Sequence, residues 1–72
     1  MTLQYTDIFR GNKVHKVRAK ITTEHSASSY GQPVIVLADG GALDLTSWVG
    51  LGYKVVKATE KERAALRKMG LI

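Results

Sequence analysis

Cysteine is absent from this chain, so the sequence excludes disulfides, thiolate nucleophiles and cysteine metal sites. No run approaches the roughly 18 apolar residues of a membrane-spanning helix. The N-terminal residues Met1 to Tyr5 have neither the basic nor the apolar part of an export signal. We therefore expect a cytoplasmic protein with no membrane contact, and the 72 residues are enough for a single domain, residues 1–72.

Basic residues are missing from the middle of the chain, between Ile21 and Gly50. The two ends hold all the lysines and arginines, so residues 1–20 and 51–72 each carry a net charge of +4, whereas residues 21–50 carry −3. The total is +5. Charge that is segregated in this way favours an anionic partner, either nucleic acid or an acidic protein surface.

The first third of the chain predicts a β-hairpin. Thr2 to Phe9 has the alternation of a strand, and Gly11-Asn12 fits a two-residue type II′ turn with glycine in its first central position. The following run, Lys13 to Thr23, alternates apolar with basic residues, so one face should be buried and the other cationic. Val14 and His15 interrupt this alternation, which suggests a bulge or an edge position near the turn.

The middle of the chain predicts a loop, a second hairpin and a helical turn. Glu24 to Gln32 is polar and patternless, and Val34 to Leu37 is an apolar strand. Asp39-Gly40-Gly41 is typical of a turn, after which alternation resumes. Thr46 to Val49 fits one helical turn with a hydroxyl cap, and Tyr53 to Lys57 fits a fifth strand.

The C-terminal segment predicts a helix from about Glu60 to Met69. Thr59 and Glu62 have the spacing of a capping box, and Gly70 with Leu71 fits a Schellman stop. Its apolar stripe should consist of Ala65, Leu66, Met69 and Ile72. We expect this stripe to pack against Ile21, Val34, Val36 and Val55.

The order of elements is therefore ββ, loop, ββ, β, α, which predicts an α+β domain. Its sheet should be small, twisted and mostly antiparallel, with four to five strands and the C-terminal helix packed on one face. In this order, in its basicity and in its length, the chain resembles small SH3-like chromatin proteins, whose twisted sheet is closed by a C-terminal helix. The resemblance implies a fold and leaves the function open.

The strongest candidate site is the row Lys16, Arg18 and Lys20 on one strand face. Successive side chains on that face should lie about 6.6 Å apart, given a rise of roughly 3.3 Å per residue. This spacing suits the phosphates along a nucleic acid strand. A solvated face that deters aggregation would show the same row. The proposed flanks of the row are Arg10, Lys13 and Lys54.

Aromatic side chains would strengthen a nucleic-acid site, because bases stack on them. Phe9 and Trp48 are expected in the core, since the domain has few large apolar residues. Tyr30 lies in the polar loop beside Gly31 and is the one aromatic residue that we expect to contact a ligand.

The sequence gives little indication of a catalytic site or a metal site. His15 and His25 are ten residues apart, without the partners of a zinc site. The loop serines Ser26, Ser28 and Ser29 lie beside His25 but lack a rigidly placed carboxylate, as a triad requires. We therefore expect no enzyme activity, no cofactor, no metal and no small-molecule substrate. Two hypotheses remain: a nucleic-acid-binding module, or a protein-interaction module or small inhibitor that docks an acidic partner through the basic face or the Glu24 to Gln32 loop.

Overall fold

A computed structural model describes residues 1–28 and 30–72, so Ser29, one of the loop serines considered above, lies outside the described residues. Within the described residues, five strands form one antiparallel sheet in the order β4-β3-β2-β1-β5, and two α-helices accompany it. The predicted α+β class and the C-terminal helix are confirmed. The elements are β1 Thr2–Asp7, β2 Lys13–Thr22, β3 Val34–Leu37, β4 Ala42–Leu43, α1 Leu45–Gly50, β5 Lys54–Lys57 and α2 Glu60–Lys68.

The first hairpin is where the sequence predicts it, but its turn is longer. Asp7 pairs with Lys13, and residues 8–12 form the connection. The Asp7 side chain accepts a hydrogen bond from the Phe9 amide and starts a 3₁₀ turn, Ile8–Arg10, which ends β1 two residues early. Gly11 and Asn12 both have positive φ, 67° and 59°. The predicted two-residue type II′ turn is therefore wrong.

Strand β2 is the centre of the sheet, because it pairs with β1 through its first half and with β3 through its second half. The pairing with β1 is regular from Lys13 to Arg18, so the bulge predicted at Val14 and His15 is absent from this pairing. A register shift occurs instead between Thr2 and Leu3, where β1 pairs with β5. This shift places Lys57 opposite Thr2.

The second hairpin joins β3 to β4 through the predicted Asp39 turn, in which the Asp39 side chain accepts from the Gly41 amide. Helix α1 follows directly. Its cap is the Asp44 carboxylate, which accepts from the Ser47 amide at 2.7 Å, and not the hydroxyl that the sequence suggested. The hydrogen bonds from Ser47, chiefly the one from its amide, lower the pKa of Asp44. A charged cap at this position also suits the helix dipole.

Helix α2 begins and ends as predicted. Thr59 and Glu62 exchange both hydrogen bonds of the capping box. At the other end, the Leu71 amide donates to the Leu66 carbonyl and Gly70 has a φ of 79°, which is the Schellman arrangement. The Glu62 carboxylate also lies 3.2 Å from the ammonium group of Met1, so the helix start is tied to the beginning of β1.

One face of the sheet packs on both helices, and we call it the inner face. The core cluster there comprises Leu3, Ala19, Ile35, Trp48, Tyr53 and Leu66. Ile21 and Val55 pack against this cluster, as expected. Val34 and Val36 pair with Thr22 and Lys20, which places them on the opposite face, so the prediction that the helix stripe meets them is wrong. Ile72 is half exposed, and Leu71 packs against the cluster instead.

Leu66 is fully buried at the contact between α2 and the sheet. Replacing it with alanine should lower the free energy of unfolding by about 2–5 kcal/mol, because the side chain leaves a cavity behind. Chemical denaturation measures the change, with Arg67→Ala on the exposed side of the same turn as the control. Equal, small effects for both variants would mean that α2 is not docked through Leu66.

Glu62 should make the free energy of unfolding depend on pH in the acid range. The hydrogen bond from the Thr59 amide, together with the Met1 ammonium group, lowers the pKa of Glu62 below its ordinary value of 4.5. Its stabilising effect is therefore complete above pH 4.5 and is lost as the pH falls through the lower pKa of the folded state. Thermal unfolding of Glu62→Gln should show a shallower loss of stability in acid than the wild type. Identical acid profiles would contradict this account.

Candidate nucleic-acid interface

The outer face of the sheet, opposite the core, carries the predicted row of cations. Along β2, His15, Val17, Ala19 and Ile21 point to the inner face, whereas the alternate residues point outward. Lys16, Arg18 and Lys20 are all exposed at these outward positions. The alternation of the sequence therefore places them as expected, about 6.6 Å apart along the strand.

Neighbouring strands widen this row into a surface. Gln4 of β1 lies between Lys16 and Lys54, and Thr2 lies between Arg18 and Lys57. Each of these two rows therefore has a cation at both ends, about 10 Å apart across three strands, and an uncharged polar residue in the middle. We call the set the cationic face and define it as Lys16, Arg18, Lys20, Lys54 and Lys57.

Lys57 is a member of this face that the sequence analysis missed. Strict alternation from Tyr53 would assign Lys57 to the inner face, together with Val55. The register shift between Thr2 and Leu3 places Lys57 opposite Thr2 instead, so both lysines of β5 pair with outward positions. A lysine at a position that alternation assigns to the core was the available signal, because an uncompensated buried charge is costly.

Most of the acidic side chains form hydrogen bonds or ion pairs with groups outside the cationic face. Asp7, Asp39, Asp44 and Glu62 accept hydrogen bonds from backbone amides in turns or at helix starts. Glu60 lies 3.9 Å from Arg67 on α2. Glu24 shares a surface hollow with Lys20, and Glu62 shares hollows with Lys20 and with Arg18 and Lys57. Within residues 1–28 and 30–72, however, no ion pair joins a carboxylate to a lysine or arginine of the cationic face.

The predicted flanking residues are divided between two places. Lys54 belongs to the cationic face. Arg10 lies in the turn after β1, with its Nε 3.8 Å from a carboxylate oxygen of Asp7. Lys13 pairs with Asp7 and has the parity of His15, so it points to the other side of the sheet. Tyr30 is fully exposed in the loop after β2 and has a φ of 55°.

The loop after β2 is attached to the second hairpin by His25. Its Nδ1 accepts from the Ala27 amide, and its Nε2 lies 3.0 Å from the Gly40 carbonyl. Because the amide can only donate and the carbonyl can only accept, the ring accepts at Nδ1 and donates through Nε2. A hollow of about 330 Å³, lined in part by Arg18, Lys20 and Val36, lies on the outer face beside this attachment. His25 thus has a structural role.

A column of stacked aromatic rings lies on the inner face. Trp48, Tyr53, Tyr5 and His15 follow one another, with ring centroids 5.8, 5.1 and 5.3 Å apart. Trp48 is buried as predicted, and burial raises the pKa of Tyr53. His15 Nε2 lies 3.8 Å from the Asp7 carboxylate, too far for a hydrogen bond. Trp48 and Tyr53 in this column belong to the buried core, and Tyr5 packs against it.

Phe9 is the main exception to the predicted core. It is 87% exposed on the 3₁₀ turn, and Ile8 beside it is also exposed. The expectation that Phe9 packs in the core is therefore wrong. The reason is local: the Asp7 carboxylate caps the turn through the Phe9 amide, which takes Phe9 out of the strand alternation that would have directed its ring inward.

Residues 1–28 and 30–72 contain no group of three or more histidine, cysteine, aspartate or glutamate side chains placed to hold a metal ion. Within the same residues, no helix is both long and apolar enough to cross a membrane. Comparisons with protein-family models, with curated proteins and with solved structures find no match. The resemblance to SH3-like chromatin proteins therefore stays a prediction, and the candidate site is judged on its chemistry alone.

Asp7 should stabilise the turn of residues 8–12 through the hydrogen bond that it accepts from the Phe9 amide. Asp7→Ala removes the acceptor of the Phe9 amide, so this amide should exchange with solvent faster, and the protein should lose about 0.5–1.5 kcal/mol of stability. Asp7→Asn keeps a side-chain oxygen and should retain most of the protection. Hydrogen exchange followed by NMR measures both. Unchanged exchange in Asp7→Ala would show that the carboxylate does not hold the turn.

Proposed function

We propose that this protein is a small, non-enzymatic module that binds nucleic acid through its cationic face. The observation that carries the proposal is the arrangement of that face: two rows with cations at both ends and only Gln4 or Thr2 between them. A phosphate backbone laid over the sheet would meet lysine or arginine on either side. Such contacts release counterions and give affinity without reading the base sequence.

The spacing of the cations supports the same proposal. Along β2 they recur every second residue, a distance that suits successive phosphates of one strand. The polar residues between them can donate or accept hydrogen bonds to sugar and phosphate oxygens. The sheet supports these cations, because each residue of β2 pairs with one neighbouring strand and Val17, Ala19 and Ile21 on its inner face pack in the core. We assign the binding to the cytoplasm, as the lack of cysteine suggests.

The proposal predicts a specific loss of salt dependence. Lys16→Ala, Arg18→Ala and Lys57→Ala should each weaken binding about equally for all sequences. Each should also reduce the slope of log affinity against log salt by about 0.7–0.9, since one phosphate contact is lost. Lys68→Ala is the matched control, because Lys68 is an exposed cation on α2, which packs on the inner face. Fluorescence anisotropy with labelled DNA and RNA, single- and double-stranded, measures the slopes.

Two results would contradict the proposal. The first is that the wild-type protein shows no salt-dependent binding to any nucleic acid at about 50 mM salt, a concentration at which phosphate contacts are strong. The second is that Lys68→Ala lowers the slope as much as the cationic-face variants do. In either case an acidic protein partner becomes the better hypothesis, and a pull-down with the variant lacking Lys16, Arg18 and Lys20 would test it.

A further inference from the structure

The turn of residues 8–12 presents a large apolar side chain to solvent. Phe9 is the only phenylalanine in the chain, and it is 87% exposed, so its ring contributes little to the core. Ile8 on the same turn and Val14 at the start of β2 are also more than half exposed. Aromatic residues are scarce here, 7% of the sequence. An aromatic ring left in water by such a chain is a candidate contact residue.

Contacts of Asp7 hold the backbone of this turn in a defined place. The Asp7 carboxylate accepts from the Phe9 amide at 3.1 Å and lies 3.8 Å from both Arg10 Nε and His15 Nε2. Gly11 then reverses the chain with a positive φ of 67°, which glycine adopts without strain. The backbone that carries Phe9 is therefore fixed at both ends of the turn. A ligand that stacks on the ring would not have to order this backbone first.

Two cations and the Asp7 carboxylate lie at the same turn. Arg10 follows Phe9 directly, and Lys13 begins the next strand. Val14 occupies the first outward position of β2 after the turn, and Lys16, Arg18 and Lys20 follow on the same face. The turn thus lies at one end of the line of cations along β2. A strand whose phosphates follow this line would bring its bases toward an exposed aromatic ring.

We infer that Phe9 is a stacking platform for an unpaired base, and that the ligand of the cationic face is therefore single-stranded nucleic acid. This inference rests on the proposed function. Stacking requires a free base face, which a single strand offers at every nucleotide and a duplex offers only at its ends. Because every base has such a face, the protein would prefer single strands to duplex and would not distinguish one base sequence from another.

The test compares one oligothymidine with one duplex. Phe9→Ala should weaken binding to the oligothymidine by about five- to a hundredfold and leave the salt slope unchanged, whereas duplex binding should stay the same. Phe9→Leu should lose nearly as much, because it keeps apolar bulk without a flat ring, and Phe9→Tyr should restore binding. Val49→Ala, which shortens another exposed apolar side chain, on α1, is the matched control. Tyr30→Ala tests the loop residue that the sequence favoured.

A spectroscopic measurement tests the contact directly. In Phe9→Trp, the new indole is exposed, whereas Trp48 is buried in the aromatic column. Oligothymidine should quench the new fluorescence, and the wild-type titration supplies the background from Trp48. Duplex should leave it nearly unchanged.

The outcomes separate the two proposals. If the wild type binds single strands and duplex with equal, salt-dependent affinity and Phe9→Ala changes neither, the stacking role is wrong and the cationic face remains. The stacking role is also wrong if Phe9→Leu binds like the wild type, or if Tyr30→Ala produces the loss expected of Phe9→Ala. If the wild type binds neither ligand with salt dependence, the proposed function itself fails.

Discussion

The structure depends on the fact that both of its helices cover the same face of the sheet. The two helices have six and nine residues, and both pack on the inner side, where Leu3, Ile35 and Leu66 are buried. Charged side chains on the strands must therefore lie outside the area that the helices cover, since leaving them unpaired in the core would cost far more than the domain's stability allows. Strand β2 satisfies this constraint from Lys16 to Ile21, where basic and apolar residues alternate.

The acidic residues connect folding to the candidate site. Four of the six, Asp7, Asp39, Asp44 and Glu62, accept backbone amides at turns or helix starts, where their charge is stabilised locally. None of these four forms an ion pair with a lysine or arginine of the cationic face. Asp7 has a further effect, because its cap on the turn after β1 leaves Phe9 in solvent. The features that end the strands and begin the helices therefore also shape the surface offered to a ligand.

The parts of the fold that could be predicted are those set by neighbours in sequence. Alternation along β2 and the reciprocal pairing of Thr59 with Glu62 each depend on residues a few positions apart. Lys57 could not be placed in this way, because its direction depends on the register shift between β1 and β5. Val36 faces away from the helix because it pairs with Lys20, and this pairing joins residues that are far apart in the sequence. The prediction for Phe9 is wrong for another reason. At Asp7 the chain can either continue the strand or start a turn capped by the carboxylate, and the structure shows the capped turn.

The central claim is that nucleic acid lies on the outer face of the sheet, and an NMR titration of the amide resonances tests it most directly. With a short single-stranded oligonucleotide, we predict that the amides of Lys16, Arg18, Lys54 and Lys57 shift together and saturate with one affinity. Those of α2 should remain in place. Shifts confined to α2, or the absence of any shift at low salt, would contradict the account.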